Sequence, residues 1–214
     1  MSRIACLHTA ESNIAVFDDA LRATGLTGVD LHHRVRVDLL AAAEREGRLT
    51  PAIRAQTVEA LRGLCQGADV VLLTCSTLGP AAEAAGEGVS TPIMRVDAAL
   101  AAEAVKDGGR IVALCAVETT MEPTRVLFEA AARSTGATVT VQLVPRAWEA
   151  FKSGNRDRYL AMIANAAREA MRTGATRVAL AQASMAGACA LIPLEERPLT
   201  SPTAGLLAAA AAAS

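Results

Sequence analysis

The chain has almost no net charge, no paired-cysteine motif and no long apolar run, and each absence removes a class of function. Its 214 residues carry 21 Lys and Arg against 22 Asp and Glu, a formal net charge of -1. The basic residues are scattered, so there is no electrostatic footprint for nucleic acid or an anionic membrane surface. Small-molecule or protein partners are expected instead, with no nucleic acid and no membrane. The five cysteines (Cys6, Cys65, Cys75, Cys115 and Cys189) are odd in number, widely spaced and without a CxxC pair. Free thiols in a reducing cytoplasm fit that pattern better than disulfides or a zinc site. At the start, MSRIACLHTAES sets an arginine before a six-residue apolar stretch, too short for a secretory h-region and lacking a small-residue cleavage site. The tail AGLLAAAAAAS is too short and too rich in alanine to span a bilayer.

What is present is a composition of 52% hydrophobic and 20% charged residues, enough for one large domain or two small lobes. Apolar, β-branched runs predict strands at about residues 3–9, 28–37, 69–75, 92–96, 110–116, 137–144 and 176–182. Helical patterns lie between them. SNIAVFDDALRATG opens on a serine suited to an N-cap and closes on glycine, and TPAIRAQTVEALRGLCQG carries proline in its first turn. Strand and helix in alternation predict an α/β fold with mainly parallel sheets.

The pattern also repeats. A shift of 107 residues lays RIACL at Arg3 on RIVAL at Arg110, and GADVVLLTCST at Gly67 on GATRVALAQAS at Gly174. A further pair, TPIMRVDAALAAEA from Thr91 and SPTAGLLAAAAAA from Ser201, matches in character at a different offset. Two similar lobes are expected, residues 1–95 with 200–214 and residues 96–199. In the common register Cys75 stands opposite Gln182, Ser76 opposite Ala183 and Thr77 opposite Ser184.

Parallel sheets bind ligands beyond the carboxyl ends of their strands. Cys75 falls at such an end, and a helix starting near Thr77 or Leu78 would aim backbone N–H groups at it. That geometry is expected to bring the thiol toward neutrality and make it the most reactive of the five. Ser76 and Thr77 are placed to cap the helix or hold a carboxylate. Thr9 and His8 end the first strand on the same edge, with Asn13 just beyond. His8 is a candidate proton relay, and capping by hydrogen bonding is its ordinary alternative. Glu118 is the other candidate acid, although a carboxylate beside a carboxylate ligand is disfavoured and solvent exposure is its expected fate. His32 and His33 read as ordinary strand residues.

Duplicated α/β lobes, CST after the third strand, ETTMEPT after the first strand of the second half and the closing SP plus helix together resemble the aspartate/glutamate racemase superfamily. That superfamily includes glutamate, aspartate and hydantoin racemases, maleate isomerases and arylmalonate decarboxylases. The resemblance implies two pseudo-symmetric Rossmann-like lobes with the active site in the cleft between them, and one cysteine from each lobe in the racemases. It implies no cofactor and no metal, and a small carboxylate substrate. A homo-oligomer, dimer or higher, is expected. On this resemblance Cys75 matches the first-lobe catalytic cysteine. Thr9, Asn13, Ser76, Thr77, Thr119, Thr120, Gln182 and Ser184 are expected substrate-binding residues. Gln182 stands where a two-thiol racemase has its second cysteine, and an amide neither gives nor takes a proton at a useful rate. Cys189, seven residues on, is a poor replacement. The expected function is a one-cysteine isomerase or decarboxylase acting next to a carboxylate. The alternative is a non-catalytic carboxylate-binding protein on the same scaffold.

Overall fold

The computed structural model describes residues 1–213 and divides into two compact units. One is Met1–Ala99 together with the segment from Pro202 onward; the other is Leu100–Ser201. The partition falls inside a helix rather than at the strand end near residue 95.

In the first unit the order is β1 (Ser2–His8), α1 (Ser12–Thr24), β2 (Val29–Val35), α2 (Val37–Glu46), α3 (Pro51–Leu64), β3 (Val70–Leu73), α4 (Ala81–Gly86) and β4 (Ile93–Arg95), after which α5 (Val96–Val105) carries the chain into the second. The second continues with β5 (Arg110–Cys115), α6 (Met121–Ala132), β6 (Thr138–Leu143), α7 (Ala147–Lys152), α8 (Arg156–Arg172), β7 (Arg177–Leu180) and β8 (Leu199–Thr200). The last helix, α9 (Ser201–Ala212), returns to the first unit. Each unit holds a four-stranded sheet, with orders β2-β1-β3-β4 and β6-β5-β7-β8, and every pairing is parallel. Parallel neighbours require a crossover, which the intervening helices supply.

The inner strands explain their composition. Ile4 through His8 on β1 and Val70 through Leu73 on β3 are buried on both faces, so those segments read as continuous apolar runs. The edge strand β2 alternates between half-buried and exposed residues. Helix α3 starts as its sequence predicts, with Pro51 in the first turn and the Thr50 hydroxyl accepting from the Ile53 N–H. Helix α1 starts differently. Its N-cap is Glu11, so Ser12 lies inside the first turn, while Gly25 closes the helix in the left-handed conformation at φ 69°.

The repeat is legible in the hydrogen bonds. Thr74 N–H donates to the Leu7 carbonyl and Ala181 N–H to the Leu114 carbonyl; Asp69 N–H donates to Arg3 and Thr176 N–H to Arg110. These pairs share the 107-residue shift, so Cys75 and Gln182 are topological equivalents. The Thr91 and Ser201 match fails. Leu73 pairs with Arg95 and its counterpart Leu180 with Thr200, so the fourth strands correspond at a shift of 105. Thr91-Pro92 precedes a strand, whereas Ser201-Pro202 opens α9 itself; similar composition there reflects different positions.

Helices α9 and α5 approach closely at Gly205. A Cβ on that residue would lie 2.6 Å from Val96 Cγ1 and 3.2 Å from Val96 Cα. Gly63 on α3 has nothing within 4 Å of the same position. The two glycines therefore respond oppositely to alanine. Gly63→Ala should stabilise by up to ~1 kcal/mol through helix propensity. Gly205→Ala should destabilise by ~1 kcal/mol or more, because overpacking outweighs that gain. Urea midpoints of the two variants check the signs.

Candidate functional site

β1 and β3 end side by side, and the loop Thr74–Pro80 leaves the sheet at that edge. Its chain folds through short turns, with Gly79 N–H donating to Ser76 O at 3.1 Å and Ala81 N–H to Leu78 O at 2.9 Å. The helix begins only at Ala81 and runs six residues, so the start expected near Thr77 or Leu78 is displaced by the loop. The N–H groups that reach Cys75 belong to Thr77 and Leu78 in the loop itself.

Cys75 is 9% exposed. Burial pushes its thiol above the ordinary value of 9.0, a hydrogen bond from Thr9 and the N–H groups of Leu78 and Thr77 pull it back, and the charge of Asp97 adds to the rise. The net direction is upward. This corrects the expectation of a thiol near neutrality: desolvation outweighs the oriented N–H groups, and at neutral pH the resting group is S–H. Thr9, which bonds to it, is buried, as are its neighbours Ser76 and Thr77; Asn13, in the first turn of α1, is buried too. The Asn13 Oδ1 is buried without a hydrogen-bond partner.

His8 lies behind this edge. Its Nδ1 meets Thr74 Oγ1 at 2.8 Å and its Nε2 meets His33 Nδ1 at 2.9 Å. Burial, and then the neighbouring His33, drive its pKa down to about 3. A ring that stays neutral, with its two nitrogens closed off by Thr74 and His33, is a poor proton relay. His33 departs from its reading as an ordinary strand residue, because its Nε2 meets Asp18 Oδ1 at 3.2 Å. His32, on the other face, is exposed.

Two functional features escape a linear reading. Arg95 and Asp97 form a bidentate pair at 2.9 and 2.8 Å, with side chains only 11% and 2% exposed. The guanidinium lies against Gly79, where a Cβ would stand 2.6 Å from Cζ and 2.7 Å from Nε. The glycine of CSTLG is thus the floor on which Arg95 rests, and the signal for the pair was the RVD at the end of β4.

The equivalent loop of the second unit is built differently. Gln182 Oε1 accepts from the Ala116 N–H at 2.6 Å and its Nε2 donates to Thr120 Oγ1, whose hydroxyl donates to Val117 O at 2.5 Å. The side chain ties the end of β7 to the turn after β5. Its expected role in orienting a substrate is therefore not the one its contacts display. Ser184 is also turned inward, its Oγ 2.8 Å from the hydroxyl of the buried Tyr159. It follows Gln182 in a 3-10 segment, Ala183–Leu191, rather than in the α-helix expected there. Cys189, near the end of that segment, donates to Pro198 O. In the turn Glu118–Thr120, Glu118 is exposed, Thr119 half-buried and Thr120 buried.

No protein-family model matches the chain, and no curated protein matches it in sequence. Solved structures do match. The Picrophilus torridus aspartate racemase superposes with a TM-score of 0.73 at 13% identity, covering 99% of this chain and 94% of that one. The allantoin racemase from Klebsiella pneumoniae gives 0.70 at 15% identity, covering 99% and 87%. The Thermus thermophilus glutamate racemase, solved in complex with β-chloro-D-alanine, gives 0.62 at 18%, covering 98% and 80%. The fold of aspartate/glutamate racemase-type structures is therefore the fold of this chain. Among the described residues no helix is long and apolar enough to cross a membrane.

The raised thiol sets an expected reactivity. Alkylation of Cys75 by iodoacetamide should accelerate about tenfold per pH unit and show no plateau below about pH 9, since thiolate is the nucleophile. Thr9→Val removes a hydrogen bond that favours the thiolate and should slow alkylation at fixed pH. Peptide mapping by mass spectrometry reads both; a plateau near neutral pH would contradict the assignment.

Proposed function

We propose that this protein is a cofactor-independent enzyme acting at a carbon adjacent to a carboxylate, with Cys75 as a single acid that protonates one face of a planar enolate. The observation that carries this reading is the pair of equivalent positions: a buried thiol at Cys75 and, 107 residues on, a glutamine whose amide is tied to Ala116 and Thr120. The racemase fold supports the carboxylate chemistry. One thiol supports one face.

The resting S–H form favours decarboxylation over two-base racemisation. When a carboxylate leaves as CO2, the electron pair of the broken C–C bond passes into the enolate, and no base is needed to create it. The Cys75 Sγ–H then gives its proton to the α-carbon, and the thiolate left behind recovers a proton from water. The Thr77 and Leu78 N–H groups and the Thr9 hydrogen bond hold that thiolate while it exists. Within the first unit, Thr9, Asn13, Ser76 and Thr77 are the polar groups we assign to substrate binding.

The test is a screen of small mono- and dicarboxylates in deuterium oxide, following α-deuterium by NMR and handedness by optical rotation. Deuterium should enter one face only. Cys75→Ala and Cys75→Ser should both lose turnover, because a hydroxyl is far less acidic than a thiol. The pH profile separates an acid from a nucleophile. Turnover should stay level through neutral pH and up to the ordinary thiol value of 9.0, and fall only above it, where the raised thiol finally loses the required S–H. Turnover that climbs with pH, or efficient racemisation by the unaltered protein, would overturn the one-acid reading.

A further inference from the structure

We propose that Cys6, His8 and His33 form a metal site, a thiolate and two imidazoles, of the chemistry that selects Zn2+. β1 and β2 run parallel with Cys6 beside His33, and His8 follows Cys6 by two residues, so all three side chains leave one face of the sheet. Their three ligand atoms lie within 4.8 Å of one another. Cys6 and His8 are fully buried, and the His33 side chain is 14% exposed, on the side where Asp18 reaches solvent.

The hydrogen bonds around the cluster fix both rings. Thr74 has a single hydroxyl hydrogen and donates it to Leu7 O at 2.9 Å, so its oxygen accepts from the His8 Nδ1–H. The Asp18 carboxylate only accepts, so His33 donates through Nε2–H. Neutral rings in those tautomers turn two bare lone pairs, on His8 Nε2 and His33 Nδ1, toward each other across 2.9 Å. A cation between them resolves the repulsion. A proton would serve the two nitrogens and leave Cys6 unused. A divalent ion takes all three groups, and the thiolate together with the Asp18 carboxylate cancels its charge, so little net charge is buried. A ligating histidine that donates its far N–H to a carboxylate or another fixed acceptor is the usual support of such a site, and here both histidines have one. Zinc–nitrogen bonds of ~2.0–2.1 Å in tetrahedral geometry would open the 2.9 Å gap to about 3.3 Å, a small ring movement.

The experiment uses the full chain, stripped with chelator and titrated with Co2+ and then Zn2+. One Co2+ per chain should bind with tetrahedral ligand-field bands and a thiolate-to-cobalt charge-transfer band, and Zn2+ should displace it. Cys6→Ser should abolish the charge-transfer band, while Cys65→Ser keeps it. Asp18→Asn, which leaves the three ligands in place, should weaken Zn2+ binding by ~10–100-fold. Saturating Zn2+ should raise the Tm of the unaltered protein and not that of Cys6→Ala, a readout that needs only the unaltered chain if the variants fold poorly. Absence of stoichiometric binding to the unaltered protein overturns the proposal and leaves a shared proton as the cation. A cobalt spectrum without thiolate character, or one that survives Cys6→Ser, overturns it equally.

Discussion

The hydrogen bond from the Thr74 N–H to the Leu7 carbonyl, 3.1 Å long, closes the ladder between β1 and β3 and fixes where the chain leaves the sheet. One residue later the backbone is free to turn, and Cys75 sits at that turn. The same threonine reaches sideways through its hydroxyl to Leu7 O and to His8. Its main chain therefore sets the thiol's position, while its side chain sets the orientation of the histidine behind it. Moving this register by one residue would turn Cys75 to the opposite face and break both connections.

The second unit keeps the constraint and surrounds it with other side chains. Ala181 closes its ladder on Leu114 as Thr74 does on Leu7. Ala181 has no hydroxyl, and Cys115, at the position of His8, donates instead to Thr124 on α6 at 3.7 Å. Gln182 spends its amide holding the β5 turn, where an unpaired Ala116 N–H would cost ~1–3 kcal/mol. Glutamine at this position thus has a structural use of its own. Divergence is also visible at the fourth strands, where the positions of Arg95 and Asp97 correspond, 105 residues on, to Thr200 and Pro202.

Much of this was readable in the linear sequence, for a physical reason. Buried parallel strands must be apolar over their whole length, so β1, β3, β5 and β7 announce themselves, and a repeated register shows which strand ends correspond. Cys75, Thr9 and Ser76 follow from standing just past those ends. The rest depends on partners far apart in the chain. The sign of the Cys75 shift is decided by how deeply the loop buries it, which spacing does not encode. Ser184 turns to a tyrosine 25 residues away, Gln182 to groups 62 and 66 away, and His33 to a carboxylate on α1. The offset of the fourth strands was misread because alanine-rich helices after a proline look alike wherever they begin.

The return of α9 to the first unit has a consequence for synthesis. A ribosome delivers a chain from its N-terminus, and domains ordinarily fold in that order as they emerge. Here the unit that begins first depends on a later segment: Leu100–Ser201 is delivered before the helix that packs Gly205 on Val96. Until α9 has emerged, Gly205 is not there to pack on Val96. The first unit is thus completed only after the residues of the second have been made, and α9 is the latch that closes it.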